Sequence, residues 1–126
     1  MSKAKKLGIT DGKLADLPRS PNAVSSQTSQ SAKRVEALPL KGSVVATKAS
    51  IIDCLGKMGG NNIATQTDDY IHVVFTSRLL RFKDDVEFYI DASAGQLHFR
   101  SGSRVGYSDM GANRKRYQAF RELYQA

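Results

Sequence analysis

At 126 residues the chain has the length of one domain, with enough side chains to bury a core without disulfides or a structural metal. A single cysteine and two histidines exclude an intramolecular disulfide, a cysteine-based zinc site and a transition-metal cluster, and no window approaches the roughly eighteen apolar residues of a membrane span. The formal charge of +7 is carried by the two ends: residues 1–34 hold seven Lys/Arg against two acids, 35–99 six against eight, and 100–126 six against two.

A basic balance favours a polyanionic partner, either nucleic acid or an anionic membrane surface. No cationic cluster is interleaved with aromatic residues, so there is no strong nucleic-acid signature. The lysines of the N-terminus read as a solubilising tail. Met1 to Lys6 is followed by no apolar run of signal-peptide length, and as written the sequence reads as cytoplasmic. No cofactor is implied.

In chain order, residues 1–15 show no sustained period and are expected to be a mobile, dispensable tail ahead of one globular domain over 16–126. The run from Pro18 to Gln30 is rich in turn formers and small hydroxyl residues. By composition it leans towards a linker, while Asn22, Ser25, Ser26 and Gln27 could also satisfy an ordered loop wrapped over a domain. From Ser43, a fitting N-cap, Val44, Val45, Lys48, Ile51, Ile52, Leu55 and Met58 follow a helical spacing that Gly59-Gly60 ends. Cys54 lies on that apolar stripe and reads as a buried, inert thiol.

Strand patterns occupy Ile63 to Thr67, Tyr70 to Arg78, Val86 to Asp91 and Leu97 to Ser101. Asp91 to Gly95 supplies a turn, so the last two strands form an antiparallel hairpin. A second amphipathic helix, capped by Ser108 or Asp109, carries Tyr117, Phe120 and Tyr124 on one side through about Leu123. The expected fold is therefore α+β: a single antiparallel sheet of about four strands with two amphipathic helices packed on one face. Ile52, Leu55, Val73, Phe88, Phe99 and Phe120 belong in its core. The open face would carry Tyr70, His72, Glu87, Tyr89, His98 and Arg100.

Three blocks are densest in polar residues at fixed offsets: Pro21 to Gln27, Arg81 to Phe88, and Arg100 to Arg114. They resemble the signature blocks of the bacterial and plastid family catalogued as domain of unknown function 1499, over roughly residues 7–124. The resemblance implies no activity, because the family has none assigned. It implies cysteines in many relatives where this chain has Leu17 and Ala23, and a leader or lipid anchor in many of them, so that relatives are often exported or membrane-anchored. It also favours an ordered wrapping loop over a linker for Asn22 to Gln27, and the wrapping loop of the domain is placed over residues 16–42.

For chemistry the blocks admit three classes. An enzyme would draw on Asp84, Asp85 and His98, with Ser101, Ser103 or Ser108 as nucleophile, yet no serine sits in a nucleophile elbow and adjacent carboxylates on a strand face opposite ways. The residues favour a non-catalytic binding module: Arg100, Ser101, Ser103, Arg104, Ser108 and Arg114 would form an anion-receiving surface at the start of the last helix, taking a small anion or a phosphorylated ligand; the competing reading of the same residues is that Arg100 and Arg104 satisfy Asp84, Asp85 and Glu87 within the fold, with Gly102 and Gly106 merely allowing the turn. Arg78, Arg81, Asp84, Asp85 and Glu87 would form a structural ion-pair network across the strand connection. A structural or assembly protein using the open sheet face is the third class.

Overall fold

The computed structural model describes residues 7–126. Its main sheet has six strands. β3 (Ala23–Ser25), β4 (Leu38–Pro39), β5 (Asn61–Gln66), β6 (Tyr70–Thr76), β7 (Lys83–Asp91) and β8 (Gln96–Ser103) contribute, in the order β3-β8-β7-β6-β5, with β4 pairing the far end of β8. A separate two-stranded hairpin, β1 (Ile9–Thr10) and β2 (Lys13–Leu14), precedes them. Helices α1 (Val44–Met58) and α2 (Ala112–Gln125) complete the fold. The expected α+β class holds; the sheet is larger than the expected four strands because β3 and β4 extend it along β8. Segments of two or three residues carry no readable period, so composition could not reveal them.

The core lies between the sheet and both helices. Ile71, Val73, Phe75, Val86, Phe88, Ile90, Leu97 and Phe99 face it from β6, β7 and β8. Phe88 meets Phe99 edge-on at 5.4 Å and Phe120 at 4.7 Å between ring centroids. On α1 the buried positions are Thr47, Ile51, Cys54 and Leu55. Ile52, expected in the core, is 38% exposed: one residue past Ile51 on a helix is a rotation of about 100°, which takes it off the buried stripe. Ser43 caps α1 by accepting from Ala46 N–H at 3.0 Å, and Gly59 ends it at φ 68°.

Residues 7–15 are not a free tail; residues 1–6 of the expected tail lie outside the described residues. Asp11 and Gly12 both take positive φ, 53° and 74°, and turn β1 into β2. The hairpin and the residues after it cross the sheet face opposite the helices. Gly8 N–H donates to Glu87 Oε2 at 2.7 Å, and Arg100 donates to the carbonyls of Ala15 and Asp16 at 2.9 and 3.1 Å. Gln27 accepts from Leu14 N–H and donates to Gly12 C=O. Leu14 and Leu17 are buried, and so are Glu87 and Arg100 beneath the strap. Tyr70, His72, Glu87, Tyr89, His98 and Arg100 do share this face, as the alternation predicts, but a strap covers much of it.

Glu36 and Pro39, in the segment ahead of α1, dock on α2. Tyr117 and Tyr124 of α2 donate to the carbonyls of Glu36 and Pro39, both at 2.7 Å. Removing residues 1–16 is expected to destabilise the domain by about 2–4 kcal/mol, because the buried Leu14 side chain is deleted and Glu87 and Arg100 lose main-chain partners. Urea unfolding of the truncated chain against the full one measures this; unchanged stability would restore the dispensable tail.

Candidate functional site

The register of β7 decides where the acids go. Asp84 stands opposite Ser103 and Phe75, Asp85 opposite Gly102 and Val74. Successive strand residues face opposite ways, so Asp84 points to the helices and Asp85 to the strapped face. Asp84 pairs with Arg116 of α2 at 2.8 Å. Asp85 takes a two-pronged contact from Arg104, 3.0 and 2.9 Å, and a third from His72 Nε2 at 2.8 Å. Burial alone would push the Asp85 carboxyl up; the Arg104 and His72 bonds outweigh it and hold it below its ordinary value. Glu87 receives Tyr70 O–H, Gly8 N–H and, at 3.5 Å, Arg100.

The expected network of Arg78 and Arg81 with Asp84, Asp85 and Glu87 is therefore replaced by Arg116, Arg104 and Arg100. Arg78 and Arg81 are exposed and make no ion pair among the described residues. The six expected anion-binding residues are also dispersed. Arg100 lies under the strap, and Arg104 is held by Asp85. Arg114 donates to the carbonyls of Ala32 and Arg34 at 2.9 and 3.3 Å. Ser101 and Ser103 bond Asn113, while Ser108 accepts from Met110 N–H. Alternation again separates them: Arg100 and Ser101 face opposite sides of β8.

The three sequence blocks do meet, around the buried side chain of Asn113. Its Nδ2 donates towards Asn22 C=O (3.1 Å), Ser103 Oγ (3.0 Å) and Asp109 Oδ2 (2.7 Å). Its Oδ1 accepts from Ser101 Oγ (2.5 Å) and from Arg116 (3.0 Å), and Arg116 continues to Asp84. Asn22 in turn donates to Gly106 C=O at 2.8 Å. Helix α2 begins at Ala112 after Gly111, later than expected, with Asp109 accepting from the amides of Gly111 (2.8 Å) and Asn113 (3.0 Å). Burial would raise the Asp109 carboxyl, but these donors hold it down. Asp109 thus occupies the helix start that an external anion would need.

Above this network stand two loops, 77–82 between β6 and β7 and 104–111 between β8 and α2. Arg104 N–H donates to Lys83 C=O at 3.1 Å and joins them at the base. They enclose a cavity of about 240 Å³, with Ser77 and Phe82 on one side, Val105 and Met110 on the other, and Asp84, Ser103 and Arg116 among its lining residues. Leu79, Leu80 and Phe82 of the first loop and Val105, Tyr107 and Met110 of the second are exposed, Leu79 to 93% and Met110 to 86%. Arg81 (φ 58°) and Met110 (φ 54°) hold left-handed backbone, one in each loop. Such strain in non-glycine residues costs about 1–2 kcal/mol each and collects at working surfaces.

The family described as protein of unknown function (DUF1499) matches residues 13–123. The chain belongs to that family. No curated protein matches it. The matched range takes in all three blocks, so the Asn113 network and both loops lie within the family's domain. Among the described residues no group of three or more His, Cys, Asp or Glu is placed to hold a metal, and no helix is long and apolar enough to cross a membrane.

Acid–base chemistry finds little support here. Asp84 and Asp85 are on opposite faces, and His98, across from Tyr89, is bonded through Nδ1 to Ser26 Oγ at 2.9 Å. His72 and Asp85 form a pair, with no serine or cysteine bonded to His72 among the described residues.

Arg116→Ala should destabilise by about 3 kcal/mol, since it strands a buried carboxylate, whereas Asp84→Asn should cost less; denaturant melts of both variants compare them. Burial lowers the pKa of His98 from the ordinary 6.5. Its contribution to stability is therefore present above about pH 6.5 and is lost as pH falls through the folded value. His98→Gln is expected to flatten the decline of Tm between about pH 7 and pH 5; an unchanged slope would place the titration elsewhere.

Proposed function

We propose that the chain is a non-catalytic binding domain whose contact surface is the pair of loops 77–82 and 104–111, and that it receives a partner surface at once apolar and anionic. The observation that carries this reading is the composition of the loop end: six large apolar side chains stand in solvent there, Leu79, Leu80, Phe82, Val105, Tyr107 and Met110. Exposed Leu is ordinary singly; a contiguous group is characteristic of an interaction site. Arg78, Arg81 and Lys83 alternate with the apolar residues of the first loop and make no ion pair among the described residues.

The anion-receiving role thereby moves from Arg100, Arg104 and Arg114, whose guanidinium groups are engaged within the fold, to the cations of the neighbouring loop. A binding role is favoured over catalysis because the acids lining the cavity are engaged within the fold, Asp84 by Arg116 and Asp109 by the amides of Gly111 and Asn113. The strapped sheet face offers less to an assembly role, and the outer edge strand β5 carries an irregularity between Ile63 and Thr65 of the kind that discourages strand addition.

Anilinonaphthalene sulfonate, an apolar anion, is a direct probe. Its fluorescence should rise with the native chain and fall to near baseline with Leu79→Ser/Leu80→Ser/Phe82→Ser, at unchanged Tm. A signal that survives these changes, or one abolished instead by Val45→Ser on α1, would move the surface elsewhere.

A further inference from the structure

Resting on that reading of the loop end, we infer that the partner is the surface of an anionic lipid bilayer, with the two loop tips entering the headgroup region. The first argument is charge. Residues 77–83 read Ser-Arg-Leu-Leu-Arg-Phe-Lys and contain no acid, and in residues 104–111 the one acid is Asp109. Both Asp109 oxygens accept backbone amides at the start of α2. Asp84, which lines the cavity between the loops, is paired with Arg116, so among the described residues Arg78, Arg81 and Lys83 have no carboxylate set against them. An anionic leaflet attracts each such cation by roughly fivefold in partitioning, so three cations contribute roughly a hundredfold.

The second argument is the placement of apolar groups. Leu79 and Tyr107, 93% and 75% exposed, belong to separate loops joined at their base. Both stand in solvent on separate loops, and a bilayer accepts exposed side chains from two loops without a matching partner contour. A protein interface instead concentrates apolar area in a centre depleted of charge. Here Arg81 falls between Leu80 and Phe82. That alternation suits an interface where arginine lays its methylenes among acyl chains and returns its guanidinium to the phosphates, with Tyr107 at headgroup depth.

The other exposed apolar area makes the contrast. Val45 and Ile52 on α1 line a shallow cavity together with Lys48 and Asp68, and Asp53 on the same helix is paired with Lys57 at 3.1 Å, so on this face each lysine is matched by an acid and no excess of positive charge accompanies the apolar side chains.

The test is co-sedimentation of the full chain with vesicles of phosphatidylcholine alone and of phosphatidylcholine mixed with phosphatidylglycerol. Binding to the mixed vesicles and little to the neutral ones is expected, with release by added salt. Leu79→Ser/Leu80→Ser should weaken binding at least tenfold, Arg78→Gln/Arg81→Gln/Lys83→Gln roughly a hundredfold, and Val45→Ser not at all. All of these positions are exposed, so an unchanged Tm separates lost binding from lost fold. No sedimentation, equal binding to both vesicle types, or binding indifferent to the loop changes would overturn the inference. If the native chain still holds the anionic dye through these loops but ignores both vesicles, the contact surface stands and its occupant is a protein. If the dye does not bind there either, both readings fall.

Discussion

The hydrogen bonds of Asn113 hold the loop end of this domain together. One carboxamide reaches the wrapping segment at Asn22, strand β8 at Ser101 and Ser103, the helix start at Asp109, and Arg116 on its own helix. A buried amide has two donor protons and one carbonyl to satisfy, and here each has protein partners. Because a buried polar group left unpaired costs about 1–3 kcal/mol, such a network has few alternatives once formed. Its consequence is mechanical: the 104–111 loop is fixed at both ends, by β8 on one side and by the Asp109 and Asn113 contacts on the other, while Asn22 holds Gly106 in its middle. A loop so anchored can keep Val105, Tyr107 and Met110 in water without collapsing them onto the sheet.

The two faces of the sheet treat their charges differently. On the helix side, Arg116 pairs with Asp84 and lies 4.8 Å from the centre of the Phe75 ring. On the opposite side, Glu87 and Arg100 are 3.5 Å apart and depend on main-chain atoms of the strap to complete their shells. Buried ion pairs of this kind add little net stability and fix geometry instead. The strap's contacts to Glu87 and Arg100 use its backbone, while Leu14 and Leu17 supply apolar anchorage. Ions that face inward are thus committed to partners, while Arg78, Arg81 and Lys83, which make no ion pair among the described residues, stand where β6 passes into β7.

Much of this fold is legible in the sequence wherever an element is long enough to show a period. Both helices, the Ser43 cap, the Asp91 to Gly95 turn and the facing of the central strands all follow from residue spacing. The N-terminal hairpin was equally open to reading: Asp11-Gly12 is a strong two-residue turn signal, hidden among the polar residues of a presumed tail. Ile52 shows the limit of counting apolar residues without following their angle around a helix. The site was harder. Arg78 and Arg81 are near Asp84 and Asp85 in sequence, but the partners come from elsewhere: Arg100 and Arg104, which the competing reading sets against these acids, and Arg116 of α2, which sequence separation does not reveal. Arg116 carried one usable signal, its spacing of three from Asn113, which places both on one side of α2. The exposed state of Leu79, Leu80 and Phe82 carried none, since a Leu-Leu-x-Phe run reads as core until the strand ends are known.

The chain contains no tryptophan, so single Leu80→Trp, Tyr107→Trp and Val45→Trp variants each report one place on the surface. With anionic vesicles whose acyl chains carry bromine, a quencher confined to the bilayer, fluorescence should be quenched in the Leu80 and Tyr107 variants together and remain unquenched in the Val45 variant. Quenching of the Val45 variant as strong as that of the loop variants, or vesicle binding that leaves both loop tryptophans unquenched, would contradict the assignment of the loop end as the membrane-facing surface.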